Sequence, residues 1–451
     1  MASSFRPFAS LALLALLATP LSAQQLDYEA MLSTPAQEAD GAESGPEGRS
    51  ADPAREPAGG DPAAPTVQQS IVRDPAPSSP RALVRTMLSE HWSAADARQL
   101  LSYIEAVGKE GLNPADYEPE RLRNALETGD AEALQPLATQ IYLKLATDLA
   151  TGKVGADARV EWYVEDDPID AGSQYAMLNE ALREDDIAGS LNALLPTHPQ
   201  YGHLKNALAA TDPADAERRE LLLANMERWR WLPRDLGEKY VIVNVPAFTA
   251  TLVEDNKVVT RKRAVVGKPG TPTPQLSTLA TGVVLNPWWE LPQSIIKEVG
   301  PGAPGYITQR EGDYVRMRQP PGPRNALGRL KVKMLNPHAI YLHDTPAKAL
   351  FNKKVRAFSH GCIRTQDVFG LAEELLAGTD WDRGKIAQGI GTGKTMEVDF
   401  AEPVPVYIVY FTAGGRTDGT VTRFADLYGR DKPVRTALKA SGGARSLASS
   451  D

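Results

Sequence analysis

The chain has 451 residues, 42% of them hydrophobic and 24% charged, with a formal net charge of −8. That is the make-up of an ordinary globular protein with a sizeable core, and at this length two folded domains with flexible ends are expected. The acidic balance argues against nucleic acid as a partner.

In chain order, Arg6 precedes an apolar run from Phe8 to Leu17, followed by the small-residue stretch Thr19-Pro20-Leu21-Ser22-Ala23. This predicts a secretory signal over residues 1–23, cleaved after Ala23. Leu21 is larger than the residue usual at its place, which keeps an uncleaved anchor helix as the alternative. No other segment approaches the ~18 uncharged residues of a spanning helix, so no membrane span is expected after cleavage. Residues 24–80 are rich in Ala, Pro, Gly, Ser and acidic side chains, with no aromatic residue between Tyr28 and Trp92. Such a segment buries too little apolar surface to offset its ordering entropy and reads as a disordered linker, with one short helix around Tyr28 to Leu32.

A helical domain is predicted over 81–232. Ser93-Ala-Ala-Asp96 resembles a capping box, and Leu100, Leu101, Ile104 and Val107 recur on one helical face behind it. Leu137, Ile141, Leu145 and Leu149 mark a second helix, and Met177, Leu178 and Leu182 a third. The last helix carries Leu221, Leu222, Met226, Trp229 and Trp231 up to Pro233, where the tryptophans are expected to pack at a domain junction rather than bind sugar.

After Gly237 the period changes from 3.6 to 2. The runs 239–245, 248–254, 257–267, 281–285, 328–335, 339–342 and 404–411 read as strands. One main helix interrupts them, capped by Thr365, with Val368, Leu371, Leu375 and Leu376 on its apolar face and Gly378 closing it. The expectation is therefore an α+β chain: an all-α domain followed by a mainly-β domain over 238–431, with a disordered tail over 432–451. The stretch GIGTGKT (389–395) lacks the leading glycine of a phosphate loop, because position 388 is Gln388, and reads as a flexible turn.

Cys362 is the only cysteine. An exported chain normally pairs its thiols, so a solitary one is either inert or kept for its reactivity. Nucleophilic catalysis needs a thiolate, a base and donors for an oxyanion. Gly361 permits a tight turn that would leave the amides of Gly361 and Cys362 facing a developing O⁻, and a helix starting near Gln366 would lower the thiol pKa. His343 and His360 compete as base, with His343, at a strand end, favoured. Zinc is a further reading, with His338, His343, His360 and Cys362 as ligands, although their spacing lacks the paired knuckles of structural sites.

The stretch YLHDTPAKALF (341–351), followed by SHGCIR (359–364), resembles the signature of the L,D-transpeptidase catalytic domain. NPWWELP (286–292), PPGPRNALGRLK (320–331) and ERWRWLPRDLG (227–237) are similar to the large periplasmic members that crosslink peptidoglycan. The helical region resembles, more weakly, their scaffold domain. The resemblance implies a periplasmic enzyme without cofactor or metal. Cys362 would attack the carbonyl of the third stem residue, usually meso-diaminopimelate, at its L-centre and expel D-alanine. Another stem's amine would resolve the thioester into a 3→3 crosslink. It further implies His343 as proton donor and acceptor, its ring held by the carbonyl of Asp344, and His360 as an orienting residue. Gly361 would lie at the oxyanion, and Arg364, Tyr341, Trp289 and Asn325 would be substrate-binding candidates, with Arg364 suited to a stem carboxylate.

Carbapenem-type β-lactams are expected to add to Cys362, and stem peptides, with other cell-wall enzymes, are the expected partners. The alternatives are resolution of the same thioester by water or by a protein amine, and, more remotely, a non-catalytic wall-binding protein. Residues 207–222 leave no room for the peptidoglycan-binding module of large members, and the segment 293–319 is short for their lid.

Overall fold

A computed structural model describes residues 90–165 and 170–440. The expected signal, its cleavage site, the linker up to residue 80 and the tail beyond residue 440 lie outside the described residues.

Seven α-helices carry the first half of the described chain: α1 (Ala94–Ala106), α2 (Pro119–Thr128), α3 (Ala131–Thr151), α4 (Ala171–Arg183), α5 (Ile187–Asn192), α6 (Pro199–Ala209) and α7 (Ala216–Trp229). Ser93 and Asp96 do form a reciprocal capping box at α1. Asp130, Asp170, Asp186 and Asp215 repeat the N-cap chemistry at α3, α4, α5 and α7. Each side chain supplies an acceptor to an amide that the first turn leaves unpaired. The apolar faces of α1 to α5 close on one core that includes Leu100, Ile104, Ile141, Leu145, Leu149 and Leu178.

A two-residue strand, β1 (Trp162–Tyr163), leaves this half and pairs in parallel with β5 of the second half. The remaining strands follow in order: β2 (Lys239–Asn244), β3 (Thr249–Glu254), β4 (Lys257–Gly267), β5 (Gln275–Leu285), β6 (Trp289–Glu290), β7 (Ile307–Glu311) and β8 (Tyr314–Gln319). They continue with β9 (Leu330–Met334), β10 (Leu342–His343), β11 (Ala357–Ser359), β12 (Ile363–Thr365), β13 (Met396–Val409), β14 (Ala413–Gly415) and β15 (Val421–Arg423). Eight of them run β5-β13-β2-β3-β4-β12-β10-β9, and β9 pairs again with β5, so the sheet closes on itself. Val241, Val243, Leu252, Val266, Val283, Val332, Leu342, Ile363 and Ile408 fill the space inside.

The outer face of β2 and β13 is covered by α6 and α7. Tyr240, Ile242, Tyr407, Val409 and Phe411 share one buried cluster with Tyr201, Leu204, Leu222, Met226 and Trp229. Trp229 is stacked between His198 and Phe411 at centroid separations of 4.2 and 4.4 Å. Trp231 meets Trp162 edge-on at 5.3 Å. Both tryptophans are junction core, which rules out a sugar platform at these two positions.

Four expectations need correction. The β-rich half holds not one helix but α8 (Gln293–Val299), α9 (Val368–Leu375) and α10 (Arg383–Gly391), with α11 (Asp431–Lys439) after it. The expected disordered tail therefore begins as a helix, because Val434 buries against Ala224 and Trp231, and Asp431 forms a buried ion pair with Arg228 at 2.7 Å. Gly389 to Gly391 close α10 rather than forming a loose turn, since Ile386 and Ile390 anchor that helix to the main core. The cap of α9 is Asp367, whose side chain accepts from the Gly370 amide, whereas Thr365 belongs to β12.

Candidate active site

Side chains alternate across a strand, so the register of three neighbours sets what can meet. β10 pairs in parallel with β12, Leu342 opposite Ile363 and His343 opposite Arg364. β9 pairs with β10 on its other side, Lys331 opposite His343. Leu342 and Ile363 point into the core. The opposite face therefore gathers Lys331, His343 and Arg364 from the three strands, with Tyr341 and Cys362 from the residues that enter β10 and β12.

The turn before β12 presents the thiol. Gly361 has φ +112°, a region that L side chains rarely adopt, and an added Cβ would lie 3.1 Å from Ile340 Cδ1. Its carbonyl accepts from Thr273 Oγ1 at 2.7 Å, while the Ser359 hydroxyl donates to the Cys362 carbonyl. The thiol donates to the Ala339 carbonyl at 3.4 Å. Among the described residues no hydrogen bond joins the sulfur to a histidine. Burial pushes the thiol pKa up to about 11, against the opposing pull of the Tyr341 amide, Lys331, Arg364 and the Tyr341 hydroxyl. The helix end expected to acidify the thiol does not adjoin it, because β12 separates Cys362 from α9, and burial outweighs the neighbouring donors.

His343 is buried, and its Nδ1 meets the Asp344 carbonyl. Burial first, and the charge of Arg364 second, hold its pKa down at about 4 against the carbonyls of Asp344 and Leu327. At neutral pH the pair is consequently a neutral imidazole and a neutral thiol. The Asp344 carboxylate does separate work: it accepts from the Arg329 amide at 2.9 Å and pairs with Lys348, fixing the entry to β9.

The other candidates divide. The His360 ring is exposed and directed at Glu298 on α8, 2.9 Å away, with Lys268 Nζ 3.4 Å from the same nitrogen. Among the described residues no hydrogen bond joins it to Cys362 or His343, so any orienting effect comes through its backbone. The Gly361 amide donates to Ser359 Oγ at 3.2 Å and is not free for an oxyanion, whereas the Cys362 amide has no acceptor among the described residues. Asn325 is not a substrate contact. It is buried, its amide nitrogen donates to the carbonyls of Pro287, Gln319 and Pro320, and its Oδ1 accepts from the Leu327 amide at 2.8 Å. Asn325→Ala is expected to cost about 1–3 kcal/mol of stability, read as a lowered Tm, because it strands those backbone groups.

Trp289 sits on β6, in a small sheet β6-β8-β7 that with α8 closes over Leu291, Ile295, Ile296 and Met317. Its ring packs within that unit, 6.5 Å from Tyr306. The segment expected to be too short for a lid thus folds as a unit of its own, joined to the nucleophile's turn by Glu298 and His360. Arg364 is half-buried with no ion pair among the described residues, while Tyr341 lies beside the sulfur and Lys331 Nζ is 5.1 Å from its ring centroid.

The four candidate zinc ligands do not converge. His338 packs on Tyr163 at 4.1 Å and His360 on Glu298, and among the described residues no group of three or more His, Cys, Asp or Glu is placed to hold a metal. Reading the sequence missed Ser359, Thr273 and Lys331. Ser359 stands inside the quoted signature and could have been found there. Thr273 and Lys331 are brought in only by strand register.

Residues 238–406 match the family model of the L,D-transpeptidase catalytic domain, and residues 88–208 match that of the scaffold domain. A Haemophilus influenzae protein whose name assigns it provisionally to the L,D-transpeptidases is 30% identical over 243 residues, 48% of this chain and 49% of that protein. The match thus spans about half the length of that relative. Among solved structures, an L,D-transpeptidase from Mycobacterium smegmatis is 17% identical, covering 38% of this chain and 58% of that one at a TM-score of 0.22. L,D-transpeptidase 3 from Mycobacterium tuberculosis, solved with a faropenem-derived adduct, is also 17% identical, covering 38% and 60% at a TM-score of 0.22.

Proposed function

We propose that this chain, which carries an L,D-transpeptidase catalytic domain over residues 238–406, transfers the acyl group of a peptidoglycan tetrapeptide stem through a thioester on Cys362. The observation that carries the reading is the shared face of β9, β10 and β12. There a buried histidine on β10 and the sole thiol of the chain, in the turn that enters β12, share a face with Arg364, whose guanidinium forms no ion pair among the described residues.

In the first half-reaction the thiol gives its proton to His343, and the sulfur then attacks the carbonyl carbon of the third stem residue. Hydrogen bonds between catalytic groups are often long before substrate binds, so the sulfur turns from the Ala339 carbonyl toward His343 in the complex. The oxyanion takes the free amide of Cys362. The bond to the terminal D-alanine breaks, and His343 returns the proton to the departing amine. In the second half-reaction an acceptor amine attacks the thioester carbonyl, its proton passes through His343 to the sulfur, and the carbon–sulfur bond breaks. With a second stem as acceptor the product is a 3→3 crosslink, formed in the periplasm. Arg364 holds a stem carboxylate as a bidentate pair.

The test is digestion of purified sacculi with and without the protein, with the muropeptides identified by mass. New 3→3 dimers are the expected product. Shortened stems or a protein-linked stem would replace crosslinking by hydrolysis or by anchoring of a protein amine, and an unchanged muropeptide profile would remove the reading altogether.

A further inference from the structure

β9 presents two lysines to the same side of the sheet, and their surroundings differ. Lys333 is paired with Glu397 at 2.9 Å and Asp399 at 3.3 Å. Lys331 is half-buried and forms no ion pair among the described residues. The two carboxylates that act on its charge from a distance are engaged elsewhere, Glu397 by Lys333 and Glu290 by Arg316 at 3.0 Å. Leaving an ammonium partly desolvated and unpaired is costly unless an anion appears beside it. The one other acidic group whose charge acts on Lys331 is the Cys362 thiol, and the influence is mutual. Lys331 stands opposite His343 in register, and its ammonium lies against the ring of Tyr341, which borders the sulfur.

We propose that Lys331 is a positioning residue of this site, the counter-ion that stabilises the sulfur of Cys362 while it is anionic, between proton loss and acylation. The other charged or titratable groups on the face of the sulfur are Tyr341, just before β10, His343 on β10 and Arg364 on β12. His343 is uncharged in the resting site and gains its proton only from the thiol itself, which leaves Lys331 and Arg364 as the standing cations, and Arg364 is the one assigned above to the substrate. The proposal rests on Cys362 being the nucleophile, but not on which carbonyl it attacks.

The test is the rate of alkylation of the full chain by iodoacetamide as a function of pH, for wild type, Lys331→Met, Lys331→Gln, Lys331→Arg and Lys333→Met. Both neutral variants at Lys331 should displace the rate profile by roughly one pH unit toward alkaline, the size of a nearby opposite charge. At a fixed pH below the thiol pKa the rate then falls roughly threefold to fourfold, because the loss of thiolate is partly offset by its greater nucleophilicity. Lys331→Arg should restore the wild-type profile, and Lys333→Met should overlay it. Neutral variants that overlay wild type, or an arginine variant displaced as far as they are, would overturn the assignment. Since iodoacetamide needs no stem peptide, a displaced profile together with unaltered sacculi would reject the substrate reading and keep Lys331, and the converse result would do the opposite.

Discussion

Cys362→Ala is expected to abolish D-alanine release from tetrapeptide muropeptides while the protein keeps its fold. The chain holds no second thiol to take over, and removing the nucleophile of a covalent mechanism leaves only what binding and the oxyanion donors supply. A loss on the order of 10⁴-fold or more follows. The structural cost is small, since the substitution deletes one part-exposed sulfur that donates a long hydrogen bond, 3.4 Å, to the Ala339 carbonyl. The turn itself is held by Gly361, Ser359 and Thr273, none of which depends on the sulfur. A circular dichroism melt close to that of wild type should therefore accompany the loss of activity. Intact-protein mass spectrometry gives the second readout: a carbapenem should add one covalent mass to wild type and none to Cys362→Ala. Full turnover by the variant would sink the thioester mechanism.

The α+β arrangement was readable in the sequence because periodicity reports which faces are buried. The step from period 3.6 to period 2 after Gly237 coincides with the passage from α7 to β2. What stayed hidden is short or depends on partners. β6, β11 and β12 have two or three residues, too few for alternation to register, and exist because neighbouring strands supply their hydrogen bonds. The helix α11 is strongly polar in sequence, and only Val434 and the buried Arg228–Asp431 pair reveal why it docks. The same limit applied at the site. Cys362, His343 and Asp344 could be picked out from residue type and motif, whereas the acidity of the thiol was misjudged, because a helix end was inferred where a strand intervenes. Asn325 looked like a ligand contact for a similar reason, since its role as the brace of residues 319–327 depends on carbonyls whose direction no sequence pattern records.

His343→Gln should produce the second large loss, and its pH dependence separates catalysis from packing. In wild type the reactive state pairs a neutral imidazole, with pKa about 4, with a thiol at about 11. As pH falls through the lower value the ring is protonated and can no longer accept the thiol proton. As pH rises through the upper value the proton needed by the departing amine is gone. A broad plateau of kcat/KM between these limits is the expected profile. Without the base, attack must wait for sulfur that is already ionised, roughly one molecule in 10⁴ at neutral pH, so kcat/KM falls by about 10²–10⁴-fold there and then climbs tenfold per pH unit.

Stability carries its own signature, because the folded pKa of His343 lies below the ordinary value near 6.5. The unfolded chain then binds the proton more readily, so wild-type stability declines as pH drops from about 6.5 to about 4 and levels off below that. The glutamine variant, which keeps a donor for the Asp344 carbonyl, should lose this histidine's share of the decline. A flat, uniformly reduced rate profile in His343→Gln would mean that the ring only packs, and the proton transfers would then have to be assigned to another group on the face shared by β9, β10 and β12.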